Sequence, residues 1–174
     1  MLAKSVPAKK YGIETAEPVA TARRKCPGLV VVPSDFSVYR RYSAAFIEIL
    51  RKYSGEIYQY SIDEAWVVFD GCENLYGDMV EFAYRLKDEI RDTLGFTVNI
   101  GVSTQFLLAK IAGDFQKPDR VHTLFEEEIQ EKLWPLPVNV MLYVGNKMAA
   151  AFRKLGILTV KDLYDADYDV IASN

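Results

Sequence analysis

The chain has 174 residues, half of them hydrophobic, so it can bury the core of one domain or of one domain with a small module. Its net charge of −3 disfavours a free-standing nucleic-acid binder, which usually carries a basic patch. No apolar run approaches the roughly 20 residues of a membrane span, no signal-peptide pattern is found, and Cys26 and Cys72 are too few for a disulfide framework. We therefore predict a cytoplasmic protein with reduced cysteines and no membrane partner.

The first segment, residues 1–33, combines a short helix with an apolar run. Pro18 fits the first turn of this helix, which ends by Cys26. The run Leu29–Val32 is continuous and apolar and is closed by Pro33, so it is predicted to be a strand.

Two longer helices follow. Apolar residues recur at three- and four-residue steps over residues 34–53, which predicts an amphipathic helix that Ser34 or Asp35 can cap. The same period runs over residues 78–94, and Gly95 is placed to stop that helix in a left-handed conformation.

Between these helices, residues 57–69 carry two adjacent carboxylates, Asp63 and Glu64, flanked by apolar β-prone runs. This composition predicts a β-hairpin with acid at its tip. Adjacent strand residues face opposite ways, so the two carboxylates can act together only if the backbone bends there. Carboxylates held close repel unless a cation lies between them, and oxygen ligands favour Mg²⁺. Taken alone, the pair fits a solvated turn better than a metal site.

The second half of the chain alternates strands and helices. Phe96–Val102 alternates apolar and polar residues as a strand does, and an apolar helical face begins near Leu107 and ends at Pro118. An edge strand is predicted over Val121–Phe125 and a short acidic helix over Glu126–Leu133.

The last segment follows a linker marked by Pro135 and Pro137. It contains two short helices. Gly156 ends the first of them, and Thr159 can cap the second.

Four of these segments resemble parts of the Y-family, translesion DNA polymerases of the UmuC type (ImpB/MucB/SamB). The tip Ser61-Ile62-Asp63-Glu64-Ala65 resembles the family's S-I-D-E-A motif, and residues 101–119 resemble its G-I-S to K-P-N-G block. Residues 1–33 are similar to the fingers, and residues 144–163 to the helix-hairpin-helix of the thumb. The four segments occur in family order and cover nearly the whole chain.

The resemblance implies an α+β fold with an antiparallel palm sheet backed by helices. The implied domains are partial fingers over residues 1–33, a palm over residues 34–134, and a truncated helix-hairpin-helix thumb over residues 135–174. The implied function is DNA repair or damage bypass by two-metal, template-directed nucleotidyl transfer.

The resemblance also implies roles for particular residues. Asp63 and Glu64 would be catalytic and would bind metal, while Lys9 and Lys117 would bind the nucleotide. Two Mg²⁺ ions are expected in the intact parent, and weak or no metal binding in this fragment. The implied partners are primer-template DNA and a nucleoside triphosphate (dNTP), with a sliding clamp as a further one.

Some positions depart from the family pattern. Val6 and Pro7 stand where the family has Tyr and Glu. Lys9 replaces an Arg and cannot form the bidentate fork with phosphate. In the thumb, Gly145 and Lys147 are expected to contact DNA, but Tyr143 replaces the first glycine of the motif.

The family begins with a strand that carries a further metal-binding Asp and continues into a little-finger domain, and this sequence contains neither. We therefore expect a fragment that is folded but inert alone, with an exposed sheet edge or a gap that favours a dimer.

Three alternatives stay open. The first is a nucleotidyl cyclase, the second is a degenerate polymerase-like interaction module without catalysis, and the third is a simple DNA-binding module that works through the thumb.

Overall fold

The structure, a computed structural model, describes residues 1–173 apart from the side chain of Glu73. It is an α+β protein, as predicted, in which residues 1–42 and the residues from Ser43 onward form separate units. The helices are α1 (Val6–Lys9), α2 (Val19–Lys25), α3 (Phe36–Arg51), α4 (Glu73–Tyr76), α5 (Met79–Leu94), α6 (Phe106–Asp114), α7 (Asn146–Lys154), α8 (Val160–Asp165) and α9 (Tyr168–Ala172). The strands are β1 (Ile57–Gln59), β2 (Ala65–Val67), β3 (Ile100–Val102) and β4 (Val121–Thr123). The predicted domain boundaries at 33/34 and 134/135 stay predictions.

The first unit is built around α1 and α2. Its small core consists of Ala8, Ile13 and Ala22. Lys25 connects α2 to the segment that follows α1. Its ammonium donates to the Gly12 carbonyl and to the Glu17 carboxylate, both at 2.7 Å.

The strand predicted over Leu29–Val32 is wrong. This segment has no regular secondary structure, and Val30 and Val32 are 82% and 77% exposed. A strand exists only where a second strand bonds to it, and the described residues give Val30–Val32 no backbone hydrogen bond.

The predicted amphipathic helices are confirmed as α3 and α5. Asp35 caps α3 by accepting the backbone N–H groups of Ser37 and Val38. Gly95 ends α5 with a left-handed φ of 76°. The two helices share the main core of the second unit, whose buried members are Ile47, Ile49, Leu50, Phe82, Leu86 and Ile90.

The strands form two separate pairs. β1 and β2 are the predicted hairpin and run antiparallel, with Tyr58 opposite Trp66. The second pair differs from the predicted antiparallel sheet, because β3 and β4 are parallel. The reason is the connection, since α6 carries the chain back to the same end of the sheet, as helical crossovers do.

Helix α6 lies directly on β3. A Cβ at Gly101 would lie 1.9 Å from the Ala109 carbonyl oxygen, so this close approach requires glycine. Of the strand predicted over Phe96–Val102, only Ile100–Val102 (β3) forms a strand. The predicted acidic helix over Glu126–Leu133 is a 3₁₀ turn followed by a π turn.

The last segment, from residue 135 onward, contains the two predicted helices, α7 and α8. Gly156 lies between them with a φ of 80°, and the Thr159 side chain caps α8. Helix α9 was not predicted. Within the described residues, no helix is both long enough and apolar enough to cross a membrane.

Candidate active site at the hairpin tip

The turn that joins β1 to β2 presents the two predicted carboxylates. The Glu64 carbonyl accepts the N–H groups of Tyr60 and Ser61, at 2.9 and 3.2 Å, which closes the turn. The Ser61 hydroxyl donates to the Asp63 carboxylate at 2.7 Å. Asp63 is exposed, whereas the Glu64 side chain is only 36% exposed.

Helix α6 faces this turn with a lysine. The Lys110 ammonium donates to the Glu64 carboxylate and lies 3.2 Å from a carboxylate oxygen of Asp114. Asp114 is in turn 2.6 Å from the ammonium of Lys117. A chain of alternating charge thus runs from the hairpin tip to the end of α6.

Burial and ion pairing shift the pKa values of Lys110 and Asp114 in opposite directions. Burial lowers the pKa of the Lys110 ammonium, but the hydrogen bond from Lys110 to Glu64 and the negative charge of Asp114 outweigh burial and leave the pKa raised. For Asp114, burial raises the pKa, but the hydrogen bond from Lys117 and the charge of Lys110 leave it lowered. Both groups are therefore held in their charged forms.

Aromatic contacts dock the hairpin on α6. The Trp66 indole N–H donates to the Phe106 carbonyl at 2.9 Å. The Phe106 ring lies 5.5 Å from the centroid of each of the Trp66 and Tyr58 rings. These contacts, together with the Lys110–Glu64 pair, fix the hairpin tip relative to α6.

The structure brings three of the predicted site residues together. Asp63, Glu64 and Lys117 line one cavity of about 1280 Å³ between the two strand pairs. Lys9 belongs to the first unit and is exposed at the end of α1. Gly145 and Lys147 are exposed at the start of α7 and are not among the described residues that line the cavity.

Two residues of the cavity are not among the site residues predicted from the sequence. Lys110 and Asp114 also line it, and they form the link between Glu64 and Lys117. The four-residue spacing of Lys110 and Asp114 predicts that they are neighbours on a helix. Their contact with the hairpin tip is a tertiary contact that local spacing does not reveal.

The residues of the tip do not by themselves fit a centre for two divalent ions. Glu64 is already paired with a cation, Lys110, and Asp63 is bonded to Ser61. Among the described residues, no group of three or more His, Cys, Asp or Glu side chains is placed to hold a metal. Asp63 and Glu64 supply hard oxygen ligands, but fewer charges than two divalent cations need.

The start of α7 combines an open first turn with an unusual backbone. Gly145 precedes the helix and, in the described structure, no side chain caps it. The N–H groups of such a turn are free to meet an anion. The Gly145 N–H itself is bonded to the Tyr143 carbonyl at 3.1 Å, and Tyr143 has a φ of 69°.

This architecture is similar to that of Y-family DNA polymerases. The insertion ternary complex of Dbh DNA polymerase superposes with a TM-score of 0.88 at 28% identity, over 97% of this chain and 49% of that one. The crystal structure of DinB from Sulfolobus solfataricus gives a TM-score of 0.86 at 28% identity, over 95% and 49%. The class of protein is thus that of the Y-family DNA polymerases.

The sequence comparisons give the family. The impB/mucB/samB family matches residues 1–114. DNA polymerase IV of Clostridium acetobutylicum is 46% identical over 171 residues, which are 98% of this chain and 42% of that protein. DNA polymerase IV of Acetivibrio thermocellus is 37% identical over 94% of this chain and 41% of that protein. The chain therefore belongs to the impB/mucB/samB family and spans less than half the length of these relatives.

Proposed function

We propose that the intact parent of this chain is a translesion DNA polymerase that acts in DNA repair or damage bypass. The observation that carries this proposal is the cavity in which Asp63, Glu64 and Lys117 meet, in a chain 46% identical to a DNA polymerase IV. Its substrates would be primer-template DNA and a dNTP.

The residues of the cavity support this chemistry through their charges. Lys117 is 56% exposed, so its ammonium can leave Asp114 for a triphosphate. Lys110 holds the Glu64 carboxylate in place. Lys9 is proposed as a second phosphate contact on the basis of the family resemblance.

Divalent metal enters this proposal only for the intact parent. Two Mg²⁺ ions would neutralise charge on the primer hydroxyl and the triphosphate. Asp63 and Glu64 would contribute ligands, and a further carboxylate has to join them. This chain alone is proposed to be inactive.

The thumb supports a contact with DNA. The open first turn of α7, preceded by Gly145, faces solvent, and Lys147 adds a positive charge there. Such a contact binds phosphate without reading sequence. A sliding-clamp partner and a cytoplasmic location stay predictions.

The alternative is a degenerate, polymerase-like DNA-binding or interaction module without catalysis. The pairing of Glu64 with Lys110 favours it, since this carboxylate is occupied by a side chain. The substitutions at Val6, Pro7 and Lys9 point the same way.

Replacing Asp63 by Asn in the intact parent distinguishes the polymerase from the module without catalysis. We expect nucleotide incorporation to be abolished while the urea unfolding curve stays unchanged, because Asp63 is exposed and the substitution keeps its shape. Asp92→Asn is the matched control, since Asp92 is also exposed and, among the described residues, pairs with Arg91 alone on α5. If Asp63→Asn retains full incorporation, catalysis does not use the hairpin tip.

A further inference from the structure

The turn that carries Lys117 has no regular backbone bonds of its own. It comprises residues 116–119, between the end of α6 at Asp114 and the start of β4 at Val121. Among the described residues, none of these four makes a backbone-to-backbone hydrogen bond. A segment without such bonds is usually mobile, so the place of Lys117 depends on the side chains that hold this turn.

The side chain of Asn99 supplies the bonds that the turn lacks. Its amide group donates to the Gln116 carbonyl at 2.7 Å and to the Gly113 carbonyl at 3.1 Å. Its oxygen accepts the backbone N–H of Arg120 at 3.2 Å. Both donors of the amide and its oxygen are thus in use, and they hold the main chain before and after Lys117.

A second contact holds the far end of the turn. The ammonium of Lys87, a residue of α5 that is only 5% exposed, donates to the Asp119 carboxylate at 2.8 Å. Asp119 has a φ of 59°, a conformation that aspartate adopts more readily than most residues. The Lys87 pair comes from α5 and the Asn99 bridge from the residue before β3, so the main chain of Lys117 is fixed from two directions.

The fixed main chain matters because the side chain of Lys117 is not fixed. It is 56% exposed, and among the described residues its ammonium pairs with Asp114 alone. Lysine has a flexible four-carbon stem, so the region that its ammonium can reach is set by the position of its Cα. Asn99, Lys117 and Pro118 line the same cavity as Asp63. The turn therefore directs Lys117 into the cavity that holds the hairpin tip.

We propose that Asn99 is a positioning residue, which holds the turn so that Lys117 meets the triphosphate of a bound dNTP. The inference rests on the proposed function, because the triphosphate contact of Lys117 is part of that function. Asn99 does not touch the nucleotide and acts only through the main chain of residues 116–120. Its loss should therefore impair the use of dNTP without weakening the binding of DNA.

Steady-state kinetics of the intact parent give the first test. Asn99→Ala removes all three bonds, and we expect kcat/KM for dNTP to fall by about 10- to 100-fold, as when a supporting residue of a site is lost, with DNA affinity unchanged. Asn99→Ser, which leaves room for a bridging water, should lose less and keeps the proposal testable if the alanine variant does not fold. An unchanged kcat/KM in the folded variants would overturn the proposal.

A double-mutant cycle shows whether Asn99 acts through Lys117. Once Lys117→Ala has removed the ammonium, Asn99→Ala should lower kcat/KM for dNTP no further, whereas independent effects would multiply. Multiplied effects would overturn the positioning role, because a residue that only stabilises the fold gives that result.

Ser54→Ala is the control for a side chain that bridges backbone groups elsewhere. Ser54 is 8% exposed, and its hydroxyl donates to the Val68 carbonyl at 2.6 Å and accepts the Glu56 N–H at 3.0 Å. It lies outside the described lining of the cavity, so Ser54→Ala should lower stability and leave kcat/KM for dNTP unchanged. A loss of kcat/KM as large as that of Asn99→Ala would attribute both losses to stability and overturn the proposal.

Amide hydrogen exchange in the isolated chain tests the Asn99 bridge without any need for activity. The Arg120 amide should be protected in the wild-type chain and should exchange at least about tenfold faster in Asn99→Ala. An unprotected Arg120 amide would overturn the proposal by itself. A parent that incorporates no nucleotide would overturn the proposed function and the role of Asn99 with it, whereas an active parent in which the two effects multiply would overturn the role of Asn99 alone.

Discussion

At the scale of single residues, Tyr143 combines a strained backbone with a side chain that contacts Tyr60. Its φ of 69° lies in the left-handed region, which costs a residue with a Cβ about 1–2 kcal/mol. Its hydroxyl contacts Tyr60, whose pKa is raised first by burial and then by Tyr143. The family pattern has glycine at this position, and glycine adopts this conformation without strain.

We therefore predict that Tyr143→Gly leaves the fold intact and raises the free energy of unfolding by about 0.5–1 kcal/mol, because relief of strain exceeds the greater chain entropy of glycine. Urea unfolding of the two proteins measures the difference. Tyr143→Phe is the control, since it removes only the hydroxyl and keeps the backbone strain. A lower stability for Tyr143→Gly than for Tyr143→Phe would show that the ring contributes more than the backbone costs.

Lys117 is the residue whose functional and structural roles are easiest to separate. In the intact parent, we predict that Lys117→Ala raises the KM for dNTP or lowers kcat and leaves DNA affinity nearly unchanged. The loss of its pair with Asp114 should lower stability by at most about 1 kcal/mol, because the pair is about half-exposed at a helix end.

Lys52→Ala provides the matched control. Lys52 is 57% exposed and lies 2.7 Å from Glu89, against 56% and 2.6 Å for Lys117 and Asp114, but it is outside the described lining of the cavity. Steady-state kinetics that change equally in both variants would rule out a triphosphate contact by Lys117.

At the scale of elements, the turn before α8 shows how local bonds fix the start of a helix. The Thr159 hydroxyl accepts the Asp162 N–H at 3.1 Å. The Asp162 carboxylate accepts the N–H groups of Leu158 and Thr159 at 3.0 and 2.8 Å. The backbone bond from Thr159 is the first cause of the lowered pKa of Asp162.

We predict that Thr159→Ala lowers the free energy of unfolding by about 1 kcal/mol and that Thr159→Ser restores most of it, because serine also caps a helix. The pH dependence follows from Asp162. A carboxyl group whose pKa is lowered by folding adds stability above its ordinary value of 3.8 and loses it as the pH falls through the lowered pKa. Asp162→Asn should therefore flatten the stability profile below about pH 4, as urea titrations at several pH values will show.

The elements also show which parts of the fold the sequence could predict. Helices α3 and α5 and the cap at Thr159 were predicted because their signals are local periods and caps. Leu29–Val32 has the composition of a strand but lacks a partner, and a strand's partner is remote in sequence. The Lys110–Glu64 contact was missed for the same reason, because it joins residues 46 positions apart. The hairpin with acid at its tip was predictable from composition, whereas the metal-binding role proposed for the tip came only from the family resemblance.

At the scale of the whole molecule, charge limits what this chain can bind. The net charge of −3 offers little to a phosphate backbone, and affinity for DNA depends on the number of phosphates that Lys and Arg neutralise. Contacts from the start of α7 alone should be weak and strongly salt-dependent. The relatives that it matches are more than twice as long, so tight DNA binding is proposed only for the intact parent.

We finally predict that residues 1–174 alone do not extend a primer in the presence of Mg²⁺ or Mn²⁺. Glu64 is paired with Lys110, and Asp114 is held between Lys110 and Lys117, so neither carboxylate is free for a cation. Two carboxylates at the tip also carry too little charge for two divalent ions and a triphosphate. A primer-extension assay on the isolated chain is the direct measurement, with the intact parent as the positive control. Robust extension by the isolated chain would mean that Asp114, or Asp70 at the same cavity, leaves its present surroundings to supply a third carboxylate.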